Sequence, residues 1–362
     1  MSDRVGPQVQ GEIRLLVGPA NFAGQANAWA AAVRTLHDVS ACSFTVTNDA
    51  GFTTGTDYSV DRATFGDDAW SQRHERWVGG FTHVLIEAGR PITGLRHGLD
   101  CAAEVPVLEE MGVKVAMVAH GSDVRRPASH KRREPDSPFV DLDSADSKRR
   151  QKYADRIAPL IDSRPWAFVS TPDLIEDVPT ATWLPVVVSP KRWAARTWEP
   201  SSSAARLPPL VVHVPSSTYM KGTEAIEPAL KELAYAGRIR YRPLRNVPQD
   251  DMPSVFAQAD IVLDQFALGS YGVAAVEALA SGRVVIGHVR PEVRERVLQV
   301  TGCSLPIVES TAAALRQVLE DWLGEQSAWQ RQALLGPAFV HDVHDGRRSA
   351  AILDNFLVAP AA

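Results

Sequence analysis

The chain has 362 residues, long for one hydrophobic core, so two domains are the natural division. Its hydrophobic fraction of 45% and charged fraction of 22% are those of an ordinary globular protein, and a net charge of -5 argues against binding nucleic acid through overall charge. Three cysteines, Cys42, Cys101 and Cys303, are far apart and odd in number, which fits reduced thiols of a cytoplasmic protein better than a disulfide framework. No apolar run approaches the ~20 residues of a membrane span and the N-terminus lacks a signal-peptide core, which leaves only peripheral membrane contact open.

Ile13–Val17 predicts a strand ending at Gly18, followed by the loop GPANFAGQ and a helical pattern through Trp29, Ala32, Val33 and Leu36. Gly18 and Gly24 leave room for a ligand to approach the backbone. The full three-glycine dinucleotide spacing is absent, and a plain β–α turn is the alternative. Ser43–Val46 and Thr82–Glu87 read as strands, with a helix over Asp68–Val78 between them. Leu99–Met111 reads as a helix ending at Gly112. Lys114–Ala119 is the next strand, and His120-Gly121-Ser122-Asp123-Val124-Arg125 follows at once. Residues just past strand carboxyl ends line the ligand crevice of an open α/β sheet, which raises His120 above an ordinary histidine. The alternatives are a satisfied structural histidine and an Asp123–Arg125 pair or cap. Residues 126–150 mix basic and acidic blocks with proline and serine, predicting a mobile surface loop that either orders on an acceptor or has no role. Gln151–Ile161 then reads as a helix, and Trp166–Ser170 and Ala181–Val188 as strands.

Ser189–Pro209, rich in proline and serine, reads as a linker, after which strand and helix alternate again. Strands are expected at Leu210–Val214 and Arg238–Tyr241, and helices over about Glu224–Ala236 and from Met252. The stretch Ala259–His288 organises this half: strand Ile261–Leu263, a loop with Gly269, Ser270, Tyr271 and Gly272, helix Val273–Ala280 and strand Val284–Ile286. Bare N–H groups at a helix N-terminus, with the helix dipole, attract an anion such as phosphate. Glu277, a little over one turn into that helix, is placed to accept hydrogen bonds from a sugar hydroxyl pair. A tight turn and a solvated helix residue are the plainer alternative. Helices at Val293–Val300, Ala312–Leu323, Ala328–Leu335 and about Arg347–Leu357 complete the chain. Two successive strand-first halves predict an α/β fold of two similar doubly wound domains, with the cleft between them as the default ligand site. No Asp-x-Asp motif of the metal-dependent kind and no clustered His/Cys spacing is read, so no metal is expected.

Lys221-Gly222 follows the first strand of the second half; Tyr271-Gly272, Glu277-Ala278 and Ser281-Gly282 then precede an apolar strand. In this order Leu210 to Val289 resembles the donor-binding domain of retaining glycosyltransferases of the GT-B fold, particularly family 4. The stretch up to Trp193, AFVSTPDLIEDVPTATWLPVVVSPKRW, is similar to that family's approach to its linker, and His120-Gly121-Ser122-Asp123 to its acceptor-side loop. The resemblance implies GT-B architecture, two Rossmann-like domains facing a central cleft. The expected divisions are an acceptor-side domain over 1–189, a linker over 190–209 and a nucleotide-sugar donor domain over 210–340, with a C-terminal helix in 341–362 returning toward the first domain.

The same resemblance implies the roles. Lys221 neutralises the departing diphosphate and His120 lies near the reacting carbon. Ser270, Tyr271 and Gly272 hold sugar and phosphate, with Ser216 and Gly222 in the same donor-binding set. Glu277 takes the ribose hydroxyls. Asn246 and Val247, after Arg245, frame the base, and Gly18 and Gly24 approach the diphosphate. The implied activity is retaining, metal-independent transfer of a sugar from a nucleotide-diphosphate sugar to an unknown acceptor, with no other cofactor. The alternatives are a non-catalytic or partner-dependent nucleotide-sugar-binding protein with a degenerate donor site, and a nucleotide-sugar epimerase. Two positions depart from the family: Gly269 stands where it usually has a sugar-facing glutamate, and Pro215-Ser216-Ser217-Thr218 lacks its usual diphosphate-facing arginine.

Overall fold

Parallel strands covered on both faces need short, continuous apolar runs, and this chain supplies them. The computed structural model describes residues 5–47, 55–194, 208–324 and 326–360. Seven strands make the first sheet: β1 Ile13–Gly18, β2 Val39–Thr47, β3 Tyr58–Asp61, β4 His83–Glu87, β5 Lys114–Ala119, β6 Ala167–Val169 and β7 Thr182–Trp183. All pair in parallel, in the order β3-β2-β1-β4-β5-β6-β7. Five strands make the second: β8 Leu210–His213, β9 Arg240–Pro243, β10 Ile261–Leu263, β11 Val284–Gly287 and β12 Val308–Glu309. They too are parallel, in the order β12-β11-β10-β8-β9.

The chain divides into two units: 1–126, 145–187 and 346–362 form the first, and 127–144 and 188–345 the second. In the first, Leu15, Val17, Trp29, Leu85, Val118 and Phe168 pack with Leu353, Phe356 and Leu357 of the helix Arg347–Val358. In the second, Val211, Ile226, Leu230, Ile261, Ile286, Leu319 and Trp329 form the core. Each sheet grows outward on both sides of its first strand, which leaves a crevice where the direction reverses. That switch point lies between β1 and β4 in the first sheet and between β8 and β10 in the second.

Several elements differ from the sequence reading. The strand expected over Ala181–Val188 is only Thr182–Trp183, because Pro185 has no N–H to continue the ladder. The helix expected from Leu99 begins at Glu104, and the helix expected over Ala328–Leu335 runs Gln326–Val343. The largest correction concerns 126–150, which is ordered: Pro127–Arg133 and Ala145–Asp162 are helical, and 127–144 belongs to the second unit. Within the expected linker Pro190–Trp193 forms one helical turn, while 195–207 lies outside the described residues. No helix among the described residues is long and apolar enough to cross a membrane.

Candidate functional site

In the first unit the residues at the switch point converge on Glu87, the last residue of β4. Its side chain is fully buried. Oε2 accepts the backbone N–H groups of Ala20 and Asn21 at 2.8 and 2.7 Å, and Oε1 lies 3.0 Å from His120 Nε2. The loop it pins turns through left-handed backbone at Asn21, Ala23 and Gly24, with φ of 45°, 49° and 76°. Gly18 ends β1 against β2, and a Cβ there would stand 2.7 Å from the Phe44 carbonyl oxygen, so the position is closed to any side chain. His120 follows β5. Its ring stacks on Trp29 at 5.6 Å and meets the Phe22 ring edge-on at 5.2 Å. Its backbone N–H and that of Gly121 are both accepted by Asp123, while Arg125 pairs with Asp173 rather than with Asp123. Gly18, Gly24 and His120 are thus brought into one constellation. Glu87, the group that joins them, is not among the sequence candidates; its one signal is a carboxylate ending an otherwise apolar buried strand.

In the second unit the β8 and β10 ends carry the corresponding groups. Ser217 caps the short helix Thr218–Lys221, its Oγ accepting from Met220 N–H at 3.3 Å, and Gly222 turns the chain at φ 70° into the next helix. Lys221 therefore ends a helical turn with Nζ 2.6 Å from Asp264 Oδ1, directly after β10. The Lys221 side chain is 14% exposed and that of Asp264 only 2%, so Lys221 is not an ordinary solvated lysine. The second Asp264 oxygen, Oδ2, is buried with no hydrogen-bond partner among the described residues. Lys221 Nζ also lies 4.0 Å from where a Cβ of Gly272 would stand. Gly272 is the N-cap of Val273–Ala280, has extended backbone and gives no side-chain cap. An ammonium and an uncapped helix N-terminus thus share one locality, an arrangement suited to an anion.

The preceding turn is held from within. Gln265 donates to the Ser270 carbonyl and accepts from Leu268 N–H, and Gly269 adopts φ 64°. Tyr271 is buried, its hydroxyl 3.3 Å from His344 Nε2, so Tyr271 packs into the unit while its backbone shapes the turn. Glu277 is buried, not solvated: 5% of it is exposed and Oε1 accepts from Gln249 Nε2 at 2.6 Å. Burial pushes its carboxyl up to about 7, against the pull of the Gln249 hydrogen bond and the Arg192 and Lys221 charges. Gln249 brings the 244–251 loop to Glu277, and Arg192 holds that loop through the Gln249 carbonyl and Asp250. Asn246, with φ 52°, and Ser216 are exposed, and Val247 is half-buried. Among the described residues no direct hydrogen bond joins these three to Glu277 or Lys221, whose partners are Gln249 and Asp264.

The segment 127–144 adds a second cluster. His130 Nε2 lies 3.3 Å from the Leu268 carbonyl, and Glu134 Oε2 3.0 Å from His288 Nε2, whose Nδ1 is 2.7 Å from Glu309. Hydrogen bonds donated to Glu134 and Glu309 lift His288 to about 9, so it is an imidazolium at neutral pH. Asp141-Leu142-Asp143 in this segment does have Asp-x-Asp spacing. Asp141 Oδ1 accepts from Asp143 N–H at 2.9 Å, and the described residues contain no group of three His, Cys, Asp or Glu placed to hold a metal.

Comparison with known proteins places the fold. No protein-family model and no curated protein matches the chain by sequence. Solved structures do match. Anabaena Alr3699/HepE, in complex with UDP and glucose, aligns with a TM-score of 0.56 at 11% identity over 95% of this chain and 98% of its own. WaaG, a glycosyltransferase of lipopolysaccharide biosynthesis, aligns at 0.56 and 14% identity over 96% and 100%. Sucrose-phosphate synthase of Thermosynechococcus elongatus aligns at 0.54 and 12% identity over 95% and 98%.

Proposed function

We propose that this chain, which has the fold of the GT-B glycosyltransferases, is a retaining, metal-independent glycosyltransferase acting on a nucleotide-diphosphate sugar. The observation that carries the reading is Lys221 Nζ beside the uncapped N-terminus of Val273–Ala280, at the switch point of the second sheet. In this reading the bond between anomeric carbon and phosphate oxygen breaks, and negative charge grows on the diphosphate. The acceptor oxygen takes the carbon and its proton passes to the departing diphosphate. Donors fixed in advance at that charge lower the barrier most, and one well-placed donor is worth about 3 kcal/mol in comparable sites. Lys221 and the amides after Gly272 are such donors, and in this reading they work without a metal ion.

Glu277, four residues into the helix and joined to the 244–251 loop, suits the ribose, leaving Asn246 and Val247 for the base. In the first unit the reading assigns His120 to the reacting carbon and the Gly18–Gly24 loop to the diphosphate. The fold neighbours support sugar transfer by their names, and HepE is described with UDP and glucose. A second reading, a nucleotide-sugar-binding protein without turnover, draws on Gly269 and on the Lys221–Asp264 pair, in which a carboxylate already neutralises the ammonium. A thermal-shift screen with UDP, GDP, ADP and TDP and their sugars tests both. Stabilisation by a nucleotide sugar with release of the free diphosphate supports the enzyme, stabilisation without release supports the binding protein, and no shift with any compound overturns both.

A further inference from the structure

Position 269 has no side chain, yet the space a side chain would occupy is not empty. A Cβ on Gly269 would stand 2.5 Å from Glu134 Oε2, and 2.7 and 2.9 Å from the Cγ and Cδ of Arg290. The carboxylate beside the first residue of the donor turn therefore comes from a segment encoded between two elements of the first unit. That segment is built into the second unit, not laid on it: His130 reaches the Leu268 carbonyl and Glu134 reaches His288.

We propose that Glu134 is the acidic residue of the sugar end of the donor site, taking the place of the side chain that Gly269 lacks; this rests on the glycosyltransferase reading above. The charge distribution along the turn supports the assignment. Its downstream end, Gly272, carries the helix N-terminus and Lys221, where a diphosphate belongs. A carboxylate offers acceptors to hydroxyls and none of the donors that a diphosphate needs, so its place at the upstream end marks where the hydroxyl-bearing part of the ligand lies. Glu134 is prepared for that role. Burial pulls its carboxyl up, and the hydrogen bond and charge of His288, with the Asp136 N–H and the His130 charge, together more than reverse this, leaving it below the usual carboxylate range. Oε1 accepts from Asp136 N–H at 3.2 Å and Oε2 from His288, which leaves lone pairs on both oxygens. The side chain is 2% exposed, so the orientation of its oxygens is fixed before any sugar arrives.

The test compares nucleoside diphosphates with their sugars on the full chain. Calorimetric titration with UDP and UDP-glucose, and with GDP and GDP-mannose, is run on the unaltered protein, on Glu134→Gln and on Glu134→Ala. Both variants are expected to bind the bare diphosphate within about twofold of the unaltered chain and to lose about tenfold or more toward the diphosphate sugar, the size of one hydrogen bond to a charged group. A purely structural strap would weaken both ligands together, and that result overturns the proposal, as does an unchanged preference for the sugar. If Glu134→Ala fails to fold, Glu134→Gln, which keeps the shape, decides alone. Binding of none of these four compounds by the unaltered chain overturns the proposal together with its premise for these donors, an outcome distinct from binding in which only the sugar preference stays unmoved.

Discussion

Substituting Glu277 by glutamine separates a stability effect from a binding effect at one residue. Burial raises its carboxyl from 4.5 to about 7, so across that window the folded state holds the proton and the unfolded state does not. Stability from this group is whole below pH 4.5 and is lost as pH rises through about 7. At 1.36 kcal/mol per pH unit the full loss is about 3 kcal/mol, of which about 2 kcal/mol falls between pH 5 and pH 8. Glutamine keeps the size and the contact with Gln249 but cannot ionise. Relative to the unaltered chain, Glu277→Gln should gain about 2 kcal/mol between pH 5 and pH 8, read by scanning calorimetry as ~4 to 8 °C. Glu104, lifted to about 7 by burial in the first unit, titrates in both proteins and cancels in the difference. Parallel melting curves across this range would refute the burial argument. Independently, the substitution should weaken UDP about tenfold at pH 8, since an amide offers one acceptor oxygen where the carboxylate offers two. Equal affinity by titration calorimetry would reject the ribose role whatever the melting curves show.

Lys221→Ala strands the buried Asp264 carboxylate and should cost about 3 kcal/mol of stability as well as a factor of ~100 to 1000 in turnover. Adding Asp264→Asn should restore the melting temperature but not the turnover, and recovery of both would reject the diphosphate role. His288 is held at about 9 by Glu134 and Glu309, so its contribution is complete below its ordinary value of 6.5 and is lost as pH rises through 9. The melting temperature of the unaltered chain should therefore fall more steeply from pH 8 to pH 10 than that of His288→Gln; equal slopes would show that the imidazolium does not hold the 127–144 segment. Phe356→Ala should cost about 3 to 5 kcal/mol in the first unit, because a fully buried ring on the last helix fills the core around Trp29 and Leu85. A loss under ~1 kcal/mol in calorimetry would show that helix to be dispensable.

Elements whose ends are chemically marked are legible in the sequence to the residue. Asp68–Val78 begins after Asp67, whose carboxylate caps Trp70 N–H, and Lys114–Ala119 is an apolar run between Gly112 and Gly121. Val273–Ala280 lies between Gly272 and Gly282. The positions of Lys221, Gly272 and Glu277 are legible for the same reason, since local strand, turn and helix order fixes where each falls. The 127–144 segment is not. Its charges read as solvation because the groups that satisfy them are distant in sequence, His288 lying 154 positions from Glu134. Thr182–Trp183 is overrun by the apolar run after it, whose burial in the core is real but not part of a ladder. The pairing of Asp264 with Lys221 gives no warning either, since only the fold brings the two together from 43 positions apart.

Glu87 and Asp264 occupy equivalent places in the two sheets. β4 and β10 each lie beside the first strand of their sheet, across the switch point; β4 ends in a buried carboxylate and β10 is followed at once by one. In the first sheet it gathers two backbone N–H groups and His120, and in the second it gathers Lys221. A buried carboxylate costs several kcal/mol unless donors surround it, so each fixes the direction of its donors strongly. The two differ in what remains unmet among the described residues: both oxygens of Glu87 have donors, whereas Oδ2 of Asp264 has none. The first constellation is therefore complete as it stands. The second has one buried acceptor beside its ammonium with no partner among the described residues, so the Lys221 ammonium alone offsets the burial of Asp264.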